Sequence, residues 1–257
     1  MESVTRGYVM AFEECAIARW EKIVSGLPTG VPPTFPEGYH DVGMAIDGAF
    51  KTQTLSELRG TIDKEVRNHS GWPAFVTINR DPFAPKPVEG AVEFWRGPEG
   101  LYSTPDHHDF WRISPEGRFF TRRGYSEDGE WQGMPPGKYF DISTPTRRLG
   151  EAILQAVYIA RALSAVDANL ICHCQWRGLA RRRLISRGNP NRDMSDRYAT
   201  EQDGYEATQT AALAALPQSL PELVYSILAP LYELFDFYRL PKRLVEEELA
   251  SLQLNRF

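Results

Sequence analysis

Apolar positions near the N-terminus recur every three or four residues, at Val9, Phe12, Ala16, Trp20, Ile23 and Val24. That spacing predicts an amphipathic helix over Thr5–Leu27, ended by Gly26 and Pro28. The stretch from Pro28 to Gly43 holds Pro32, Pro33 and Pro36 and reads as a loop. Leu55, Leu58, Ile62 and Val66 then share one face of a second helix, Thr54–His69. From Trp72 to Arg187 the texture changes to short aromatic and β-branched runs between turn signals, the pattern of antiparallel strands. Strands are expected at Phe75–Asn79, Ala91–Arg96, Asp109–Ile113, Gly117–Gly124, Tyr139–Ile142, Asn169–Arg177 and Ala180–Ser186, with a hairpin turn at Ser114-Pro115-Glu116-Gly117.

One helix interrupts the strands. Thr144 is its expected N-cap and Pro145 its first residue, and Leu149, Ala152, Ile153, Ala156, Ala160 and Leu163 line one face. The polar segment from Arg187 to Gly204 reads as a loop or insertion. Ser219 and Glu222 have capping-box spacing at the head of an apolar helix running to Tyr238, which Pro230 should kink and Pro241 should end. A last helix is expected over Lys242–Leu252. This order predicts an α+β fold, an antiparallel sheet over about residues 72–187 with helices at both ends. The expected parts are a helical segment (1–70), the sheet module with one helix (71–187), and a polar loop with C-terminal helices packed on the module (188–257).

Composition sharpens the class. The chain has 257 residues, 42% of them hydrophobic, which suits a globular protein. No apolar run reaches the roughly 18 residues that span a bilayer, so no membrane association is expected. Met1 to Arg6 lack the apolar core of a secretory signal, and three cysteines suit a reducing cytoplasm better than a disulfide framework. The net charge of −5 argues against a surface coated in nucleic-acid-binding charge, yet from Asp109 to Arg197 there are 15 Lys and Arg against 10 Asp and Glu. A local basic patch is therefore open.

Three clusters carry candidate chemistry. Cys172-His173-Cys174 suggests zinc, but strand alternation puts both cysteines on the apolar side with Leu170 and Trp176, and His173 on the other with Gln175 and Arg177. Only Cys15 remains as a further cysteine, so core thiols are expected and no metal site. Asp106-His107-His108-Asp109 offers a catalytic alternative, a metal-assisted hydrolase or nuclease using His107, His108 and Asp109. Its position at a strand entrance would send successive side chains apart, which favours a structural role. Arg177, Arg181, Arg182, Arg183, Arg187, Arg192 and Arg197 form the third cluster. They either meet nucleic-acid phosphates or make a solvated edge that discourages aggregation.

No Gly-rich phosphate loop and no G-x-S-x-G elbow is present, and no cofactor is expected. Arg147 and Arg148 in the first turn of the central helix either receive an anion or pair with surface acids. The C-terminal apolar stripe packs on the sheet, or serves a homo-oligomer interface.

An ordered series of motifs spans residues 70 to 186. It runs through Ser70-Gly71-Trp72-Pro73-Ala74-Phe75, Val92-Glu93-Phe94-Trp95 and His107-His108-Asp109-Phe110-Trp111-Arg112. It continues with Arg123-Gly124-Tyr125-Ser126-Glu127-Asp128, Phe140-Asp141-Ile142 and Trp176-Arg177-Gly178-Leu179. This series resembles the C-terminal region of bacterial proteins that begin with a Schlafen/Alba-like DNA- or ATP-binding domain. Ala74 and Phe94 depart from the usual Pro and Cys, and the Schlafen/Alba-like domain has no counterpart here, so its activity does not carry over. The resemblance implies a sensing or effector module of regulation or phage defence. The expected function is thus a non-catalytic regulatory module binding nucleic acid, a ligand or a partner protein. Arg177, Arg181, Arg183, His173, Arg147 and Arg148 are its candidate binding residues.

Overall fold

The computed structural model describes residues 2–29, 35–97, 108–129, 135–165, 167–187, 194, 197–216 and 218–253. Helix α1 (Glu2–Ser25) carries the expected stripe, with Glu13 set inside it. Strand β1 (Tyr39–Asp47) follows, then α2 (Leu55–Glu65), whose Thr54 and Glu57 close a reciprocal capping box. Strands β2 (Lys86–Val88), β3 (Ala91–Arg96), β4 (Asp109–Ser114) and β5 (Arg118–Gly124) form a meander. Strand β6 (Tyr139–Asp141) leads into α3 (Thr144–Ala162), and β7 (Asn169–Arg177), β8 (Arg183–Ile185) and β9 (Gly204–Ala212) follow. Helices α4 (Leu220–Glu233) and α5 (Lys242–Gln253) close the order.

The main sheet has seven strands in the order β2-β3-β4-β5-β1-β7-β9, every neighbouring pair antiparallel. The fold is α+β with a sheet core, as the pattern predicts. The sheet nevertheless reaches beyond residues 72–187 on both sides. Its interior strand β1 begins inside the stretch expected to be a loop, and its edge strand β9 follows the polar segment. Phe75–Asn79 forms no strand. Its Phe75 and Val76 instead plug the apolar layer, and the Trp111 indole N–H donates to the Val76 carbonyl at 2.9 Å. Tyr139–Ile142 and Ala180–Ser186 contribute β6 and β8, which pair with each other in parallel, apart from the main sheet.

The two sheet faces differ in chemistry. On one lie Val42, Met44, Trp111, Phe119, Cys172, Cys174 and Trp176, packed against α2, α3 and α4 in one apolar cluster that also takes Leu244, Val245, Leu249 and Leu252 of α5. The C-terminal apolar stripe packs into this cluster, the first of its two expected readings. Helix α4 also stops short of Tyr238, because the Tyr232 carbonyl accepts from both Phe235 and Phe237 as the chain turns through Asp236 at φ 60°.

The face under α1 mixes rings with charge. Arg122 forks onto Asp41 at 2.8 and 2.6 Å between the rings of Trp20 and Tyr39, and Arg19 reaches Glu93 at 3.0 Å. His173 meets Glu13 at 2.7 Å. Gly43 makes that contact possible, since a Cβ there would overlap the Glu13 carboxylate. Burial pushes Glu13 and Asp41 above the ordinary carboxylate range, while the contacts with His173 and Arg122 pull them back.

Candidate functional site

The motif residues converge where β1, β4, β5 and β7 meet the N-terminus of α3. Arg182 holds this end together. Its Nε donates to the Gly178 carbonyl at 2.6 Å, and its terminal nitrogens reach both Asp128 oxygens at 2.8 and 2.6 Å. The carbonyls of Tyr139 and Glu37 take further donors at 2.8 and 2.9 Å, and the guanidinium lies 4.5 Å over the Tyr125 ring. One fully buried cation thus ties four chain segments together, and none of it faces a ligand. Gly178 (φ 75°) and Gly38 (φ 146°) let two of those segments touch backbone to backbone, and a Cβ on either would overlap the other's chain.

Asp109 plays a similar part. It accepts from the Trp72 indole and pairs with Arg123, which also donates to the Pro73 carbonyl at 2.5 Å. Glu151 accepts from the backbone N–H groups of His69 and Ser70, both at 3.1 Å, and completes the anchoring of that loop. His108 lies on the opposite sheet face, its ring 6.1 Å from Phe35. His107 lies outside the described residues. His108 and Asp109 therefore do not share a site, and among the described residues no group of three His, Cys, Asp or Glu could hold a metal ion. An Asp109→Asn protein is expected to lose about 1.5–3 kcal/mol, the usual worth of hydrogen bonds to a charged group. Urea denaturation would show this, and an unchanged midpoint would refute the anchoring role.

Beside these anchors sits a small cavity lined by His40, Tyr125, Glu127, Thr144, Arg148 and Trp176 among others. Its volume is about 20 Å³, room for one water molecule and no more. The groups around it are strongly perturbed. Burial, with Arg123 and Arg148 nearby, pushes His40 down to about 3. Burial and the neighbouring Asp141 push Glu127 up to about 7, and burial with Arg123 brings Arg148 down to about 10. Glu127 accepts from the Asp141 N–H at 2.6 Å, and Asp141 accepts from the Thr144 N–H and hydroxyl at 3.1 and 2.7 Å. Asp141 therefore serves the first turn of α3, for which Thr144 was the expected cap; Ser143 takes the cap position without a side-chain bond. Sequence reasoning missed this cluster. Its signal lay in the carboxylates inside the R-G-Y-x-E-D and F-D-I matches, which stand out among motif residues suited to cores and turns.

A larger groove of about 540 Å³ opens on the surface at the same end of the sheet, lined by Phe35, Glu37, Tyr39, Arg177, Ala180 and Asp203 among others. Arg177, with 38% of its side chain exposed, pairs loosely with Glu206 at 3.4 Å and Gln175 at 3.2 Å. Arg181 and Arg183 are exposed just beyond it. The other candidate binding residues lie elsewhere. His173 is buried under α1 against Glu13, Arg147 pairs with Glu248 of α5 at 2.6 Å, and Arg148 donates to the Trp72 carbonyl at 2.8 Å. Arg192 lies outside the described residues. Part of the central excess of arginine is interior, since Arg112, Arg122, Arg123 and Arg182 are all buried.

No helix among the described residues is long and apolar enough to cross a membrane. No family model, no characterised protein and no solved structure matches the chain.

Proposed function

We propose that this chain is a non-catalytic binding module that takes a nucleotidyl group, free or at the end of a nucleic-acid strand, in the groove between Tyr39 and Arg177. The observation that carries this reading is the chemistry of that groove. A partly exposed guanidinium, an aromatic ring and two carboxylates line one open surface of sufficient size. Arg177 suits a phosphate, Tyr39 a base, and Glu37 and Asp203 the hydroxyl and amino donors of a nucleotide. Arg181 and Arg183 extend the cationic edge along the same turn, where a strand's next phosphates would run. A regulatory or defence role accords with the resemblance carried by residues 70 to 186.

Fluorescence anisotropy with labelled mononucleotides and short single-stranded RNA and DNA tests this. Binding should weaken as salt rises from about 50 to 200 mM, and Arg177→Ala should weaken it about tenfold. Arg181→Ala and Arg183→Ala should affect strands more than mononucleotides. Absence of salt-dependent binding to every probe would overturn the proposal.

A further inference from the structure

A second groove lies at the β2 edge of the sheet, separated from Tyr39 and Arg177 by β4 and β5. Its volume is about 190 Å³, and it opens between the last turns of α1 and the β2–β3 hairpin. Strand alternation builds its floor. Glu93 and Trp95 stand two apart on β3 and share the face under α1, and Lys86 lies directly opposite Glu93 in the antiparallel register. Arg19 and Ile23, one turn apart on α1, form the other wall.

The charges at this groove do not balance. Arg19 spends Nε and Nη2 on the Glu93 carboxylate at 3.0–3.1 Å, and the Arg112 Nε stands 3.5 Å from the same group. Lys22 is matched by Glu89 at 4.0 Å, whereas Lys86 makes no ion pair among the described residues. Three cations, Arg19, Arg112 and Lys86, therefore share the one carboxylate of Glu93. The Arg19 Nη1 donates to nothing among the described residues and is open to solvent. The rest of the lining is apolar, with Ile23, Pro82, Ala84, Val88 and Trp95 around the charged centre.

We propose that this groove binds a small organic acid with a flat apolar body, of the arylacetate class. Its carboxylate takes the Arg19 Nη1 and the Lys86 ammonium, and its ring lies against Trp95. Charge decides the sign of the ligand, because an anion answers cations that Glu93 alone does not neutralise. The walls decide its body. A bare inorganic anion would satisfy the cations and leave the apolar lining wet, and a neutral ring would do the reverse. The volume falls below the roughly 300–1,000 Å³ of pockets for larger ligands, so a single ring with a short acid arm suits it.

Fluorine NMR on the full chain with para-fluorophenylacetate as the probe tests the proposal. Its line should broaden on binding, with a Kd of about 1 mM or tighter. Lys86→Ala, at an exposed edge position, should weaken binding about tenfold, and Lys86→Arg should restore it. Phenylacetamide and acetate, which lack the charge and the ring in turn, should each compete about tenfold less well than phenylacetate. No broadening at about 5 mM probe overturns the proposal. So does a Kd unmoved by Lys86→Ala, or an amide or acetate that competes as well as phenylacetate. Arg177→Ala should leave the Kd unchanged; a loss there as large as that from Lys86→Ala would put the probe in the other groove and overturn the proposal as well. Nucleotide binding and acid binding thus fail independently.

Discussion

An Arg182→Met protein is expected to lose about 3–5 kcal/mol of stability, the usual cost of removing one partner from a buried ion pair. Methionine fills much of the volume, so the loss is electrostatic and hydrogen-bonded rather than a cavity. Asp128 would keep only the Gly137 N–H, at 2.9 Å, and the carbonyls of Gly178, Tyr139 and Glu37 would each lose a donor inside the protein. Because Arg182 ties loops far apart in sequence, the whole end of the sheet should loosen together. Urea denaturation followed by tryptophan fluorescence measures the loss, and hydrogen exchange at residues 125–129 and 178–185 locates it. A drop below about 1 kcal/mol would refute this role, because it would match an exposed pair. Arg182→Lys should recover only part of the stability, since one ammonium cannot reproduce a fork that serves a carboxylate and three carbonyls.

Glu127→Gln should change how stability depends on pH. The folded protein holds Glu127 at about 7 against an ordinary 4.5, so its contribution is full below pH 4.5 and is lost as pH rises toward 7. His40 works the other way, at about 3 against 6.5, so its contribution is full above pH 6.5 and is lost as pH falls toward 3. Between pH 4.5 and 6.5 the two slopes oppose and nearly cancel. Glutamine keeps the acceptor for the Asp141 N–H and removes the titration. The stability of Glu127→Gln relative to the unaltered protein should therefore climb by about 1.4 kcal/mol per pH unit above pH 4.5, levelling near pH 7. Over that window the gain is about 3 kcal/mol. Parallel pH profiles for the two proteins would contradict it, because every other titrating group is common to both.

Much of the architecture was legible in residue order. Ala91–Arg96 and Asn169–Arg177 stand where their alternation predicts, because each puts apolar residues against the α3 side in strict period. Cys172 and Cys174 are buried thiols on that side, as the same alternation requires. Helices α1, α2, α3 and α5 were visible from the three-to-four spacing of their apolar residues. The hidden strands are those with one face that meets no apolar layer. In β1 the residues facing α1 are Asp41, Gly43 and Ala45, chosen for Arg122 and Glu13 rather than for a hydrophobic layer. In β9 one face is largely open, so Glu206, Thr208 and Thr210 carry no burial signal.

The chain by itself determined the α+β class, most element positions and the apolar core, because burial of apolar surface leaves its period in the sequence. Only the tertiary structure decided what the arginines do. A guanidinium reads the same in sequence whether it meets water or a buried carboxylate, and its partner is set by which strands become neighbours. Arg122 finds Asp41 and Arg182 finds Asp128 through that pairing, both across long stretches of chain. Part of the basic excess between Asp109 and Arg197 is therefore interior scaffolding, while Lys138, Arg161, Arg181, Arg183 and Arg197 are exposed and Arg177 is partly so.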